Sequence, residues 1–182
     1  MQPLRLLLAA LGVLWSTIAL AQTEPPRADV ALVLTVDASG SIDHDEFQLQ
    51  KEGIAQAVAA PEVLSTIRSG RHGRIAIAYV EWGAPGGAQT MVNWMMVGDE
   101  AEAAAFGNAV LAAPRSSQSY NAIGDAIDHA VKLFDACPCR PTRKIIDVSG
   151  DNPDNRSHVP APLARDAAVA AGVTINALAI LQ

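Results

Sequence analysis

Asp37, Ser39 and Ser41 stand at alternate positions of Asp37-Ala38-Ser39-Gly40-Ser41, placing one carboxylate and two hydroxyls in a tight loop that Gly40 permits. Hard oxygen donors of this kind suit magnesium, manganese or calcium, and not zinc or copper. Asp151, beyond a later strand, can supply a second carboxylate. Two carboxylates and neutral hydroxyls leave much of a divalent ion's charge unbalanced, so the ion can still attract an anionic oxygen from outside. Without an ion, the same residues read as a serine-rich turn capping a helix. Other polar residues have simpler readings. Asp147 is expected to be a structural carboxylate paired with Arg143 or Lys144; Asp154, Asn155 and His158 a solvated loop; His44 an exposed first-turn residue. Tyr120 and Trp82 read as packing residues, with Tyr120 able to line the rim of the loop.

These residues must be held by the elements around them. Asp29 to Val36 is a nearly unbroken aliphatic run, the pattern of a strand covered on both faces. Ser41 or Asp43 can cap the helix that follows, His44 to Ala60. After a short turn from Pro61 to Ile67, Arg74 to Trp82 and Gln89 to Val97 read as a hairpin around Gly83, Pro85, Gly86 and Gly87. Helices are expected over Glu100 to Ala113, Ala122 to Phe134 and Leu163 to Ala171, with strands over Lys144 to Val148 and Val173 to Ile180. The order β-α-β-β-α-α-β-α-β predicts an α/β fold: a doubly wound, mostly parallel sheet with helices on both faces and one antiparallel edge strand. In such sheets ligands bind where loops leave the carboxyl ends of the strands, at the switch in strand order. The polar loops Asp37 to Asp43, Ser116 to Asn121 and Ser149 to Asn155 would meet there.

The chain has 182 residues, 50% of them hydrophobic and 18% charged, with a net charge of −6, which is enough for one sizeable core. The acidic balance, without a basic cluster, argues against nucleic acid as a partner. Arg5, the apolar run Leu6 to Leu20 and the small-residue exit Ala19-Leu20-Ala21 form a secretory signal peptide, and cleavage is expected after Ala21. The run is too short for a membrane span. The expected division is a signal peptide over 1–21, a linker over 22–28 and one domain over 29–182. Removing the leader takes away one basic residue, Arg5, and no acid, leaving net −7. The mature protein is expected to be exported, periplasmic or extracellular. There Cys137-Pro138-Cys139 could be bridged locally or paired with another molecule.

The aliphatic strand ending in Asp37-Ala38-Ser39-Gly40-Ser41 resembles the metal-ion-dependent adhesion site of von Willebrand factor type A domains. Asn121-Ala122-Ile123-Gly124-Asp125-Ala126-Ile127 resembles the T-x-x-G-x-A-[LI] helix start that carries the second metal loop. Ile145-Ile146-Asp147-Val148-Ser149-Gly150-Asp151 resembles the strand leading to the third-loop aspartate, and more narrowly a bacterial secreted family of the superfamily with no assigned function. The resemblance implies that Ser39 and Ser41 ligate Mg2+, or Mn2+ or Ca2+, through their hydroxyls, with Asp37 and Asp151 close to the ion directly or through water. Asn121 stands where the family has a threonine; its longer side chain offers a carbonyl oxygen, and Ser119 could take its place if the loop shifts. The third loop reads Gly150-Asp151-Asn152 where T-D-G is common. Members of these families usually continue through at least one more helix, whereas this chain stops at Gln182 after an aliphatic strand, so a truncated C-terminus is expected.

The function expected from these features is an exported module that binds a protein or peptide partner, whose acidic side chain completes the coordination of the ion. The competing reading is a metal-dependent hydrolase or phosphatase with Asp37 as nucleophile. Such an enzyme would want a second acid or base, yet position 39 is serine where a D-x-D pair would place it. Neither a G-x-S-x-G elbow nor a P-loop is present. A third reading is a metal-free structural interaction domain.

Overall fold

The computed structural model describes residues 24–116 and 119–180; the expected signal peptide, 1–21, lies outside them. The elements, in order, are β1 (Arg27–Asp37), α1 (His44–Ala59), α2 (Pro61–Arg68), β2 (Ile75–Trp82), β3 (Gln89–Val97), α3 (Glu100–Ala112), α4 (Ile123–Leu133), β4 (Arg140–Gly150), α5 (Ala161–Ala170) and β5 (Val173–Ala179). One 3-10 turn, Phe134–Ala136, extends α4. The sheet order is β3-β2-β1-β4-β5. Among the described residues only the β2–β3 pair is antiparallel, so the expected architecture is the observed one.

β1 lies at the centre, and its aliphatic run is explained by burial on both sides. Ala31 and Val33 join Val80, Trp82, Ile146 and Val148 under Ala126, Ile127 and Ala130 of α4 and Ala164 and Ala168 of α5. On the opposite face Val36, Ile77 and Tyr79 pack under Val58 of α1 and Ala103, Phe106 and Val110 of α3. β1 and β2 thus feed two cores with alternate residues, and on β1 no polar face remains to break the hydrophobic run. Chain direction reverses about β1: its loop leads through α1 to β2 on one side, while β4 continues through α5 to β5 on the other. The switch point therefore falls at the carboxyl ends of β1 and β4.

Three element starts differ by two residues or more from the sequence reading. β1 begins at Arg27, inside the expected linker, because Arg27 and Ala28 pair with Arg140 and Pro141. β4 is 11 residues long and starts four residues before the expected strand, at Arg140. Its first part carries Pro141, which hides a strand from pattern reading, but β5 pairs only with Lys144–Gly150, so Pro141 sits on an edge where a missing N–H is tolerated. α5 starts at Ala161, two residues early, behind Pro160.

Asp147 is not the paired carboxylate expected. Strand alternation turns Lys144 to the α4 face, where its Nζ lies 5.5 Å from the centre of the Phe134 ring. Asp147 instead lines an apolar groove of about 440 Å³ with Leu32, Leu34, Ile54 and Leu178. Among the described residues it makes no ion pair, and burial pushes its carboxyl above the usual range.

Cys137 and Cys139 are bridged to each other, which settles the local alternative. A ring this small restrains the unfolded chain weakly. Thiol titration of the native protein should find no free cysteine, and reduction should cost at most about 2 kcal/mol in a denaturant melt. Two titratable thiols, or a covalent dimer, would contradict the bridge.

Candidate metal centre

Asp37 is the last residue of β1, and its side chain is fully buried. One carboxylate oxygen, Oδ1, accepts the Ser39 amide at 2.8 Å, so the chain turns back on its own aspartate. The other, Oδ2, is buried without a hydrogen-bond partner. The Ser39 and Ser41 hydroxyls lie 3.0 Å apart, and Ser41 Oγ donates to Asp151 Oδ1 at 3.1 Å. Helix capping needs neither serine. Asp43 accepts from Glu46 N at 2.8 Å while Glu46 Oε2 accepts from Asp43 N at 2.9 Å, a complete capping box for α1. That leaves the hydroxyls facing the third loop.

Gly150, just before Asp151, makes this approach possible. A Cβ there would stand 2.9 Å from the Trp82 ring and 3.2 Å from Asp37 Oδ2. Asn121 arrives by another route. Its amide donates to Asn155 Oδ1 at 3.1 Å and its carbonyl accepts Asn155 N at 2.9 Å, tying the second loop to the third. Asn121 Oδ1 is buried and unpartnered. Asp37, Ser39, Ser41 and Asp151 are thus joined by a chain of contacts, while Asn121 is tied to the third loop through Asn155. Ser119, the alternative donor, is exposed.

The third loop is far from a merely solvated one. α4 has no cap of its own, and Asp154 supplies it: Oδ1 accepts Ile123 N at 3.1 Å, and Oδ2 accepts Ala161 N of α5 at 3.0 Å. Ser157 Oγ hydrogen-bonds to Asp154 and accepts Gly124 N at 2.8 Å. Gly124 must lack a side chain, since a Cβ would collide with the Val159 carbonyl. Asp125 accepts Gly86 N at 2.8 Å and His158 N at 2.9 Å, and its Oδ2 lies 2.8 Å from His158 Nδ1. Burial alone would raise the Asp125 carboxyl, but these hydrogen bonds outweigh it and hold the group below the usual range. Sequence reading missed this knot because its partners are about 30 residues apart. Tyr120, at the loop tip, is 52% exposed rather than packed and takes a left-handed φ of 71°.

Burial raises the Asp37 carboxyl, and the charge of Asp151 adds to the effect; Ser39 and the Asp151 backbone offset it in part. The raised folded-state value means that the native state binds this proton more tightly than the unfolded chain. Its contribution is therefore fully present below the ordinary carboxylate pKa and is lost as pH rises towards the folded value. Ionisation of Asp37 therefore destabilises the metal-free protein. A cation beside Oδ2 would reverse that sign. The donors on offer are carboxylates, hydroxyls and an amide carbonyl, and among the described residues no cluster of three or more His, Cys, Asp or Glu is placed to bind an ion. The two orphaned oxygens and this donor chemistry fit a hard divalent cation.

A doubly wound sheet with D-x-S-x-S at the end of its central strand is the architecture of von Willebrand factor type A domains. Residues 27–182 match the family described as "Protein of unknown function (DUF1194)", and the chain belongs to it. Solved structures of the same fold include proximal thread matrix protein 1 from the mussel byssus, with a zinc-occupied MIDAS motif, at 20% identity and a TM-score of 0.69 over 88% of this chain and 40% of that one. A von Willebrand factor type A protein from Catenulispora acidiphila aligns at 23% identity and a TM-score of 0.57, covering 83% of this chain and 33% of that one. The pilus adhesin SpaC from Lactobacillus rhamnosus GG aligns at 13% identity and a TM-score of 0.60, covering 84% and 24%. The chain therefore spans two fifths or less of each of these proteins. No curated protein matches by sequence.

Asp37→Asn should stabilise the metal-free protein by about 1 kcal/mol or more at neutral pH, because it removes a buried charge while keeping an acceptor for Ser39 N. Denaturant melts in chelator, comparing neutral pH with pH 4, check this. The gain should shrink at the lower pH, and a destabilised variant at neutral pH would contradict the reading.

Proposed function

We propose that this chain is an exported binding module that engages a protein or peptide partner through a divalent cation held by Asp37, Ser39, Ser41, Asn121 and Asp151. The observation that carries this reading is the fully buried Asp37 carboxylate, whose Oδ2 lacks a partner although it lies at the switch point beside two hydroxyls and a second carboxylate. Magnesium is the ion best suited to such a donor set, with manganese or calcium as alternatives. The ion would supply a local positive charge that is left under-neutralised by hydroxyl and amide ligands. A net negative protein gives an acidic partner no long-range attraction, so recognition of a carboxylate has to come from this point.

Binding fits the site better than catalysis. Asp151 is the second acid at the centre, and it already receives the Ser41 hydroxyl. His158, in the same loop, is engaged by Asp125. Neither is placed as a proton shuttle for an Asp37 nucleophile. Among the described residues no helix is long and apolar enough to cross a membrane. The signal peptide expected over residues 1–21 supports action in the periplasm or outside the cell. The zinc in the mussel protein's MIDAS motif and the adhesin role of the pilus protein lend support by analogy of fold.

Millimolar magnesium or manganese should raise the melting temperature over that in chelator, by the equivalent of about 2.7 kcal/mol at a hundredfold over Kd. Asp37→Ala should abolish the shift, and identical curves with metal and chelator would contradict the site. Partner capture from the exported fraction should be lost with chelator, and Asp37→Ala or Ser39→Ala should reduce it to the same level. Metal-dependent turnover of a generic phosphate ester that vanishes in Asp37→Ala would instead make the protein a hydrolase.

A further inference from the structure

Arg115 is spent in an unusual way for an arginine. Among the described residues its guanidinium pairs with no carboxylate. Nη2 donates to Ile42 O at 2.7 Å and Ser39 O at 2.9 Å, with Ala38 O at 3.3 Å sharing one of its two hydrogens; Nη1 donates to Asp43 O at 3.2 Å. Four carbonyls of the loop that carries Ser39 and Ser41 therefore converge on one planar group. The guanidinium is also stacked on the fully buried Phe47 ring, 4.6 Å from its centre. Phe47, Ala38 and Ile42 form a small apolar cluster of their own beneath the loop.

The backbone that bears Arg115 is fixed from both directions. Lys51, buried on α1, donates from Nζ to Leu111 O at 3.0 Å and Ala113 O at 2.6 Å. Ser116 N donates to Glu81 Oε2 at 2.6 Å, and Glu81, fully buried on β2, takes the Tyr79 hydroxyl on its other oxygen at 3.2 Å. Arg115 thus stands on a strap anchored to α1 and β2, and the loop curls around its head. With four carbonyls drawn to the guanidinium, the Ser39 and Ser41 hydroxyls are left on the side facing Asp151.

We propose that Arg115 is a positioning residue for the metal centre, a fixed post that shapes the 38–43 loop so that its hydroxyls converge before any ion arrives. The inference rests on the proposed metal reading and adds a residue outside its ligand set. Arginine is required because a planar fork with five donors can serve several carbonyls at once, whereas a lysine ammonium is a point charge with three rotating donors. Groups that orient metal ligands typically change affinity by about 10–100-fold when removed.

The test is titration of Mn2+ alone, followed by its electron paramagnetic resonance signal and by calorimetry, alongside melting temperatures in chelator. Wild type should bind Mn2+, and Arg115→Ala should bind about 10–100-fold more weakly. Millimolar guanidinium should restore part of that loss. Arg115→Lys should fold with a melting temperature close to wild type yet still bind more weakly, which keeps the test decisive if the alanine variant unfolds. Phe106→Leu, in the α3 core, should lower the melting temperature in chelator and leave Mn2+ affinity unchanged. Wild-type affinity in both Arg115 variants overturns the inference alone. Equal weakening in Phe106→Leu, or no recovery with guanidinium in an Arg115→Ala protein that melts cooperatively, also overturns it by showing general destabilisation. A wild type that takes up no Mn2+ overturns the metal reading and this inference together.

Discussion

A carboxylate with no exposure to water, one of whose oxygens has no hydrogen-bond partner, is the feature on which the rest of the arrangement turns. A buried ionised group without a counter-charge is costly. The fold nevertheless places Asp37, fully buried, at the end of its central strand. The charge of Asp151 makes the cost greater, not smaller. A hard cation is the one neutralising partner that suits both aspartates and the hydroxyls between them, and in this account the local instability of the metal-free centre is the source of its affinity.

The surrounding structure serves to hold this geometry without relieving it. Parallel β1 and β4 bring Val36 opposite Ser149, so Asp37 and Gly150 emerge side by side. Asp154, Ser157 and Asn155 bind the third loop to the start of α4 and to Asn121. The strap from Leu111 to Ser116 holds Arg115 under the first loop. None of these groups supplies a hydrogen bond to Asp37 Oδ2. Stability invested in the loops leaves the centre itself unsatisfied, which is the pattern expected where function and stability compete.

Much of the fold is legible in the residues. The unbroken aliphatic runs of β1 and β5 and the glycine-rich gap between β2 and β3 are local signals, and they give the right element order. D-x-S-x-S is equally local, and its Asp37, Ser39 and Ser41 are linked by hydrogen bonds that reach Asp151 through Ser41. What escaped was set by distant partners. Pro141 hid the start of β4 because edge position depends on how far β5 extends. Asp147 was assigned an ion pair from its neighbours in sequence, although alternation sends Lys144 to the other face. Arg115, Glu81 and Lys51 carry no motif, since their partners are backbone groups and one tyrosine hydroxyl brought near only by folding. Family likeness extended the reading as far as the second and third loops, but Asn121 stands where that motif has a threonine.

The most direct measurement of the central claim is a crystal structure of the protein grown with manganese, with anomalous scattering collected to locate the ion. The account predicts one strong peak bounded by the Ser39 and Ser41 hydroxyls and the Asp37 and Asp151 carboxylates, with an open coordination position facing solvent. A protein crystallised at millimolar manganese with no peak there, or with Asp37 Oδ2 satisfied by a protein hydrogen bond instead, would contradict it.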